Sequence, residues 1–181
     1  LKTDLIFKIL ITIASIAYPF TLVFFYEFSK DAVFVMALLW GLQGIFTSDK
    51  NKKQTSALLS AFFVLILLAN NDTLRYFYPV IINIFMLFVF GLSLKKEAII
   101  TKFARLKEPN LPEFVIAYTR NLTKIWIVFF AVNGAISFGL IFLEDKIYWG
   151  LYTGAISYVL IAALFVGEYI YRIKLKRQED V

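Results

Sequence analysis

The sequence predicts an all-α, polytopic membrane helix bundle with six transmembrane helices plus a cytoplasmic amphipathic helix. Three observations predict it. Hydrophobic residues fill 60% of the 181 positions and charged residues only 18%, with a mean hydropathy of +0.75, whereas soluble domains hold about 45 to 50% apolar residues. Six apolar runs approach the roughly 20 residues that a helix needs to cross a bilayer. Lys and Arg gather at one side of those runs.

The first run, about 7–28, follows Lys2 and Lys8 as a secretory leader would. It is long for a leader's apolar region, so it reads as a retained first helix. The second and third runs, about 32–47 and 55–71, are short. Full spans that tilt little are preferred over a buried re-entrant hairpin, the alternative that length leaves open. The fourth run covers about 76–94, the fifth 125–143 and the sixth 147–171, and positions 1–181 read as a single membrane domain.

Between the fourth and fifth runs lies the one long loop, which opens LKKEAIITKFARLKEP. Ile99, Ile100, Phe103 and Leu106 recur at helical spacing while Lys95, Lys96, Lys102, Arg105 and Lys107 take the other faces, which predicts an amphipathic helix over about 95–107. Such a helix suits an anionic leaflet surface. Pro109 and Pro112 end it; Asn110 can cap a new helix with Pro112 and Glu113 in its first turn, running into the fifth span.

Orientation follows from the basic residues. Lys2 and Lys8, Lys50, Lys52 and Lys53, then Lys95, Lys96, Lys102, Arg105, Lys107, Arg120 and Lys124, and finally Arg172, Lys174, Lys176 and Arg177 fall on one side; only Lys30, Arg75 and Lys146 fall on the other. The positive-inside rule makes the first side, and both termini, cytoplasmic in a bacterial inner membrane.

Composition also excludes functions. With no Cys and no His, the chain has no disulfide, no thiolate or imidazole metal site, no Cys or His nucleophile and no His-ligated haem. The net charge of +6 flanks apolar runs instead of forming a basic domain, so membrane topology explains it and nucleic acid does not. No catalytic constellation, cofactor site or metal site emerges, which leans away from an enzyme, and the oligomeric state stays open.

The candidate functional residues are therefore the polar ones in or beside spans. Arg120 and Lys124 stand one turn apart at the interface, where they can meet lipid phosphates or a carboxylate. Thr119, Thr123, Trp126, Phe130, Asn133 and Ser137 follow steps of four and three, a stripe that should face protein. Asn133, Asn83 and Gln43 read as interhelical glue, with ligand contact as the alternative. In the sixth span Gly150-x-x-x-Gly154 suggests close helix packing, and Glu168, five turns beyond Gly150, is the only carboxylate inside a span apart from Glu27 at the end of the first. An ion pair with Arg120, Lys124 or Arg172 is preferred over a proton relay. The candidate polar cluster is thus Asn83, Tyr118, Arg120, Thr123, Lys124, Asn133, Glu168 and Arg172, and the candidate partner or lipid surface is Lys96, Lys102, Arg105 and Lys107.

Three stretches, RYFYPVIINIFMLFVFGLSL, FARLKEPNLPEFVIAYTRNLTKIWIVFFAVNGAISF and WGLYTGAISYVLIAALFVGEYIYR, span about 75–172. In order they hold Tyr78-Pro79 with Asn83, an Ala-Arg-Leu and Glu-Pro-x-Leu-Pro segment, Tyr118-Thr119-Arg120 with Thr123 and Trp126, Asn133-Gly134, Leu151-Tyr152-x-Gly154 and Gly167-Glu168. This pattern resembles the small integral membrane protein family encoded in bacterial aryl polyene (xanthomonadin-type) pigment gene clusters, with Thr153 standing where that family has Asn. The layout is more distantly similar to the intracellular septation protein A family. The first resemblance implies a non-enzymatic inner-membrane accessory or scaffold for polyene lipid or pigment assembly or export. Its implied partners are membrane lipids and, at the cytoplasmic face, an acyl carrier protein or polyene biosynthetic enzymes. The second implies a cell-envelope or septation factor. A membrane acyl or glycosyl transferase is a third possibility, against which the absence of His and of paired intramembrane carboxylates counts.

Overall fold

The computed structural model describes the backbone of residues 2–69 and 71–179 and the side chains of 5–69 and 71–173. The flanking charges assigned to Lys2, Lys174, Lys176 and Arg177 lie outside the described side chains. Among the described residues the chain is helical and has no strand. Its α-helices are α1 (Lys2–Phe24), α2 (Ser29–Phe46), α3 (Lys50–Ala69), α4 (Tyr78–Ser93), α5 (Ile99–Arg105), α6 (Glu113–Leu140), α7 (Lys146–Leu151) and α8 (Ser157–Glu179). A π turn, Tyr152–Ile156, joins α7 to α8.

Six helical stretches are long and apolar enough to cross a membrane: Leu5–Phe24, Tyr26–Phe46, Lys50–Ala69, Asp72–Ser93, Glu113–Leu140 and Lys146–Ile173. Only 22 to 33% of each one's apolar window is buried within the protein, and Ile45, Leu58, Leu68, Phe142 and Val159 all point outward. Apolar surface this extensive suits hydrocarbon and not water, which is compatible with a multi-pass membrane protein.

Several boundaries differ from the apolar runs, for local reasons. α1 stops at Phe24 and Tyr26–Phe28 makes a 3-10 turn, whose two aromatic residues continue the apolar run around Glu27. α3 begins at Lys50, ahead of the apolar run, where the Asp49 carboxylate accepts from Asn51 N at 2.9 Å and caps the helix. The Asn110 cap is corrected: α6 starts at Glu113, and the Pro112 carbonyl accepts from Val115 N and Ile116 N at 3.1 and 3.2 Å, so Pro112 itself holds the cap position.

The helix expected over 95–107 is corrected to Ile99–Arg105, and its buried contacts are not the expected ones. Ser93 Oγ donates to Phe90 O at 2.6 Å and accepts from Ile99 N at 3.0 Å, and residues 94–98 turn around that hydroxyl. Ala98 and Thr101 are buried, whereas Phe103 and Leu106 are 60% and 82% exposed.

The chain divides into two compact units, Leu1–Tyr78 with Leu140–Ile156, and Pro79–Gly139 with Ser157–Val181. In the first, α2 and α3 form a hairpin held by Ser56 Oγ donating to Gln43 Oε1 at 3.0 Å and Ser60 Oγ to Ala37 O at 2.9 Å. Tyr18, Phe63 and Tyr78 pack ring against ring, with centroids 5.0 to 5.8 Å apart. Gly150 and Gly154 of the sixth run also lie in this unit: a Cβ on Gly150 would stand 2.5 Å from Val23 Cγ2, and one on Gly154 2.9 Å from the Phe20 ring. Their seam packs against α1. Gly154 lies within the π turn, so the five-turn count that set Glu168 on the glycine azimuth does not carry across it.

The same unit contains a buried cation that the sequence pattern reads only as an outer-side charge. Arg75 is 4% exposed; its Nη1 donates to Ser29 Oγ at 2.7 Å, its Nη2 meets Asp72 Oδ1 at 2.6 Å, and its carbonyl accepts from Tyr18 OH at 2.9 Å. These bonds tie α1, the start of α2 and the Asp72–Phe77 turn together. Removing the carboxylate strands a buried guanidinium, so Asp72→Ala is expected to lower stability in detergent by about 2 kcal/mol, the buried-pair figure reduced for the exposed acid. Chemical denaturation monitored by Trp fluorescence checks this, and Asp31→Ala in the first turn of α2 is the exposed control.

Candidate functional site

The site lies in the second unit, where α6 and α8 face one another. Trp126 of α6 sits 5.0 Å from Phe165 of α8, centroid to centroid, and Tyr118 stacks on Tyr171 at 5.5 Å with the rings 24° apart. Between these bulky pairs runs an open groove of about 550 Å³, within the range of small-molecule sites. Leu122, Ile125, Ala163 and Leu164 give it apolar walls, and Gly167 opens its floor, since a Cβ there would meet nothing within 4 Å.

Its polar groups centre on Glu168. Tyr118 OH donates to Glu168 Oε1 at 3.2 Å, and Arg172 Nε approaches the same oxygen at 3.4 Å. Both contacts fall on Oε1, so among the described residues no protein partner occupies Oε2. The Glu168 side chain is 19% exposed and that of Arg172 50%, and the guanidinium lies 5.7 Å from the Tyr169 ring. Among the described residues the groove therefore presents a carboxylate oxygen without a protein partner and a stacked aromatic pair beside apolar walls, with the half-exposed Arg172 guanidinium next to Glu168.

The candidate polar cluster separates into distinct places. Tyr118, Glu168 and Arg172 come together at the groove, with Arg172 and not Arg120 or Lys124 as the partner of Glu168. Arg120 donates instead to Leu94 O at 2.9 Å, and Lys124 to Asn121 Oδ1 at 3.3 Å on the groove's edge. Asn133 Nδ2 donates to Asn83 Oδ1 at 3.0 Å, and Asn83 Nδ2 to Pro79 O at 2.8 Å. Gly134 admits this contact, because a Cβ there would stand 3.1 Å from Asn83 Cβ. Thr119, Thr123, Trp126, Asn133 and Ser137 form the buried face of α6. Thr119 additionally shares a 2.7 Å hydroxyl bond with Thr101, fastening α5 to α6.

The four cations of the candidate surface are not equivalent. Lys96, Lys102 and Lys107 are exposed, while Arg105 pairs with Glu97 and donates to Pro109 O at 2.9 Å. Lys96 and Arg105 line a second, smaller cavity together with Arg120. No grouping of three or more acidic residues that could hold a metal ion occurs among the described residues. No family model, curated protein or solved structure matches the chain.

Proposed function

We propose that this chain is a multi-pass protein of the bacterial inner membrane, with both termini cytoplasmic, that holds an amphiphile in the α6–α8 groove as a non-enzymatic accessory of polyene lipid or pigment assembly or export. The groove with Glu168 among its lining residues carries the lipid-handling reading. The basic asymmetry supports the orientation, and the sequence resemblance supports the polyene setting.

The chemistry of the groove narrows the occupant. Leu122, Ile125 and Leu164 suit an apolar chain. The stacked Tyr118 and Tyr171 suit a flat aryl head, and Glu168 Oε2 can accept from a hydroxyl on that head. Arg172 can donate to a further oxygen. An aryl-headed chain is the kind of molecule that a polyene pathway builds.

The second reading places α5 at the inner leaflet. Phe103 and Leu106 point outward beside exposed Lys102 and Lys107, so this short helix presents apolar and basic groups together to anionic lipid or to an acidic carrier protein.

Complementation tests the proposal. A strain lacking the chain should lose polyene pigment and regain it with the wild-type gene. A Gly167→Phe variant, which fills the groove, should insert at normal levels and restore little. Full restoration by that variant would contradict a working role for the groove.

A further inference from the structure

We propose that the cavity between α5 and α6, lined by Lys96, Arg105 and Arg120, is a phosphomonoester-binding site distinct from the groove. The cavity measures about 240 Å³, too small for a lipid chain and suited to a headgroup. Thr101 and Ala98, both buried, form part of its wall, and the Thr101–Thr119 hydroxyl bond holds that wall to α6.

Two of its three cations are already positioned. Arg120 is held through one Nη2 hydrogen by Leu94 O, leaving the second Nη2 hydrogen to form a fork with its neighbour on Nε or Nη1. Arg105 is held through Nε by Glu97 and through Nη1 by Pro109 O, leaving Nη2. Side chains fixed before a ligand arrives lose little further freedom on binding. Lys96 is exposed and can close over the ligand as a point charge.

Charge selects the ligand class. Glu97 offsets Arg105, so among the described residues Lys96 and Arg120 remain as two positive charges without an acidic partner. A phosphomonoester carries about −1.5 to −2 at pH 7, with its second ionisation near 6, and matches that pair. A phosphodiester, with a single negative charge, leaves one cation unmatched. Arg120 also suits the terminal phosphate geometrically, since a guanidinium fork meets two phosphate oxygens at once. The phosphate can belong to a lipid such as phosphatidic acid or to a soluble phosphomonoester.

Microscale thermophoresis on the full-length protein in detergent, at about 0.15 M salt so that unspecific surface attraction is screened beyond about 8 Å, separates these cases. The titrants are dioctanoyl phosphatidic acid, dioctanoyl phosphatidylglycerol and glycerol 3-phosphate. Phosphatidic acid should bind about tenfold more tightly than the diester of equal chain length, and Lys96→Gln should weaken it by about tenfold, one charge-assisted contact. Lys96 is exposed, so this variant keeps its fold; Gly167→Phe, which alters only the groove, should leave the affinity unchanged. Competition by glycerol 3-phosphate supports the site with a soluble ligand, and its failure to compete supports the site with a lipid headgroup. Equal affinity for the two lipids overturns the proposal, as does phosphatidic acid binding that neither Lys96→Gln nor Arg120→Gln changes.

Discussion

Gly150→Leu is expected to destabilise the protein by about 3 kcal/mol, the upper part of the range for overfilling a packed contact. The reason is steric and local. The Cβ alone would stand 2.5 Å from Val23 Cγ2 and 3.1 Å from Val23 Cβ, and a β-branched valine has little rotamer freedom in a helix with which to withdraw. The α7 segment must then move off α1. Gly139→Leu is the matched control, because a Cβ at Gly139 meets nothing within 4 Å. Thermal unfolding in detergent should show a large drop for the first variant and little change for the second. Gly150→Ala should be rescued in part by Val23→Ala, and the coupling in that double-mutant cycle measures the contact directly.

The second large effect is on ligand retention. Gly167→Phe adds a ring where the backbone leaves open space, so it fills the groove without a clash inside the protein. Wild-type protein extracted in mild detergent should carry a bound amphiphile in native mass spectra; the variant should lose it almost entirely while its thermal stability stays within about 1 kcal/mol of wild type. Glu168→Gln should retain part of the ligand. An amide keeps one acceptor oxygen but surrenders the charge that strengthens a bond from a hydroxyl head. Adduct levels equal in all three proteins would place the bound molecule elsewhere.

Much of the fold is legible in the sequence because long apolar runs mark the six helices that are long and apolar enough to cross a membrane. Every backbone group in hydrocarbon must be bonded within its own helix, so apolar length alone marks the spans. The buried face of α6 is legible too: steps of four and three identify Thr119, Thr123, Trp126, Phe130, Asn133 and Ser137, of which all but the half-buried Phe130 are buried. Turns are less visible. Phe25 to Phe28 reads as helix by composition yet closes the α1–α2 connection.

The candidate site is only partly legible. Glu168 announces itself as a carboxylate in an apolar run and helical spacing offers Arg172 at i+4, but its Tyr118 contact depends on side-chain reach across α6 and α8, which periodicity does not encode. Arg75 is hidden for the same reason, since its burial arises where α1, α2 and the Asp72–Phe77 turn converge. In α5 the apolar period points to Phe103 and Leu106, whereas the docking contact is made by Ala98 and Thr101, a small residue and a hydroxyl that hydropathy ranks below them.

Saturable photolabelling tests the amphiphile groove most directly. The purified full-length protein is irradiated with a diazirine-bearing long-chain alkylphenol, whose phenol matches Glu168 Oε2 and the Tyr118–Tyr171 stack, and the labelled peptides are mapped. Every outward face of a membrane helix meets lipid, so the deciding feature is competition. Labelling at Leu122, Ile125 and Leu164 should be abolished by excess unlabelled alkylphenol and by Gly167→Phe, while labelling on exposed positions such as Leu58 and Leu68 should respond to neither. Labelling spread evenly over all six long apolar helical stretches, with no competable fraction between α6 and α8, would contradict the account.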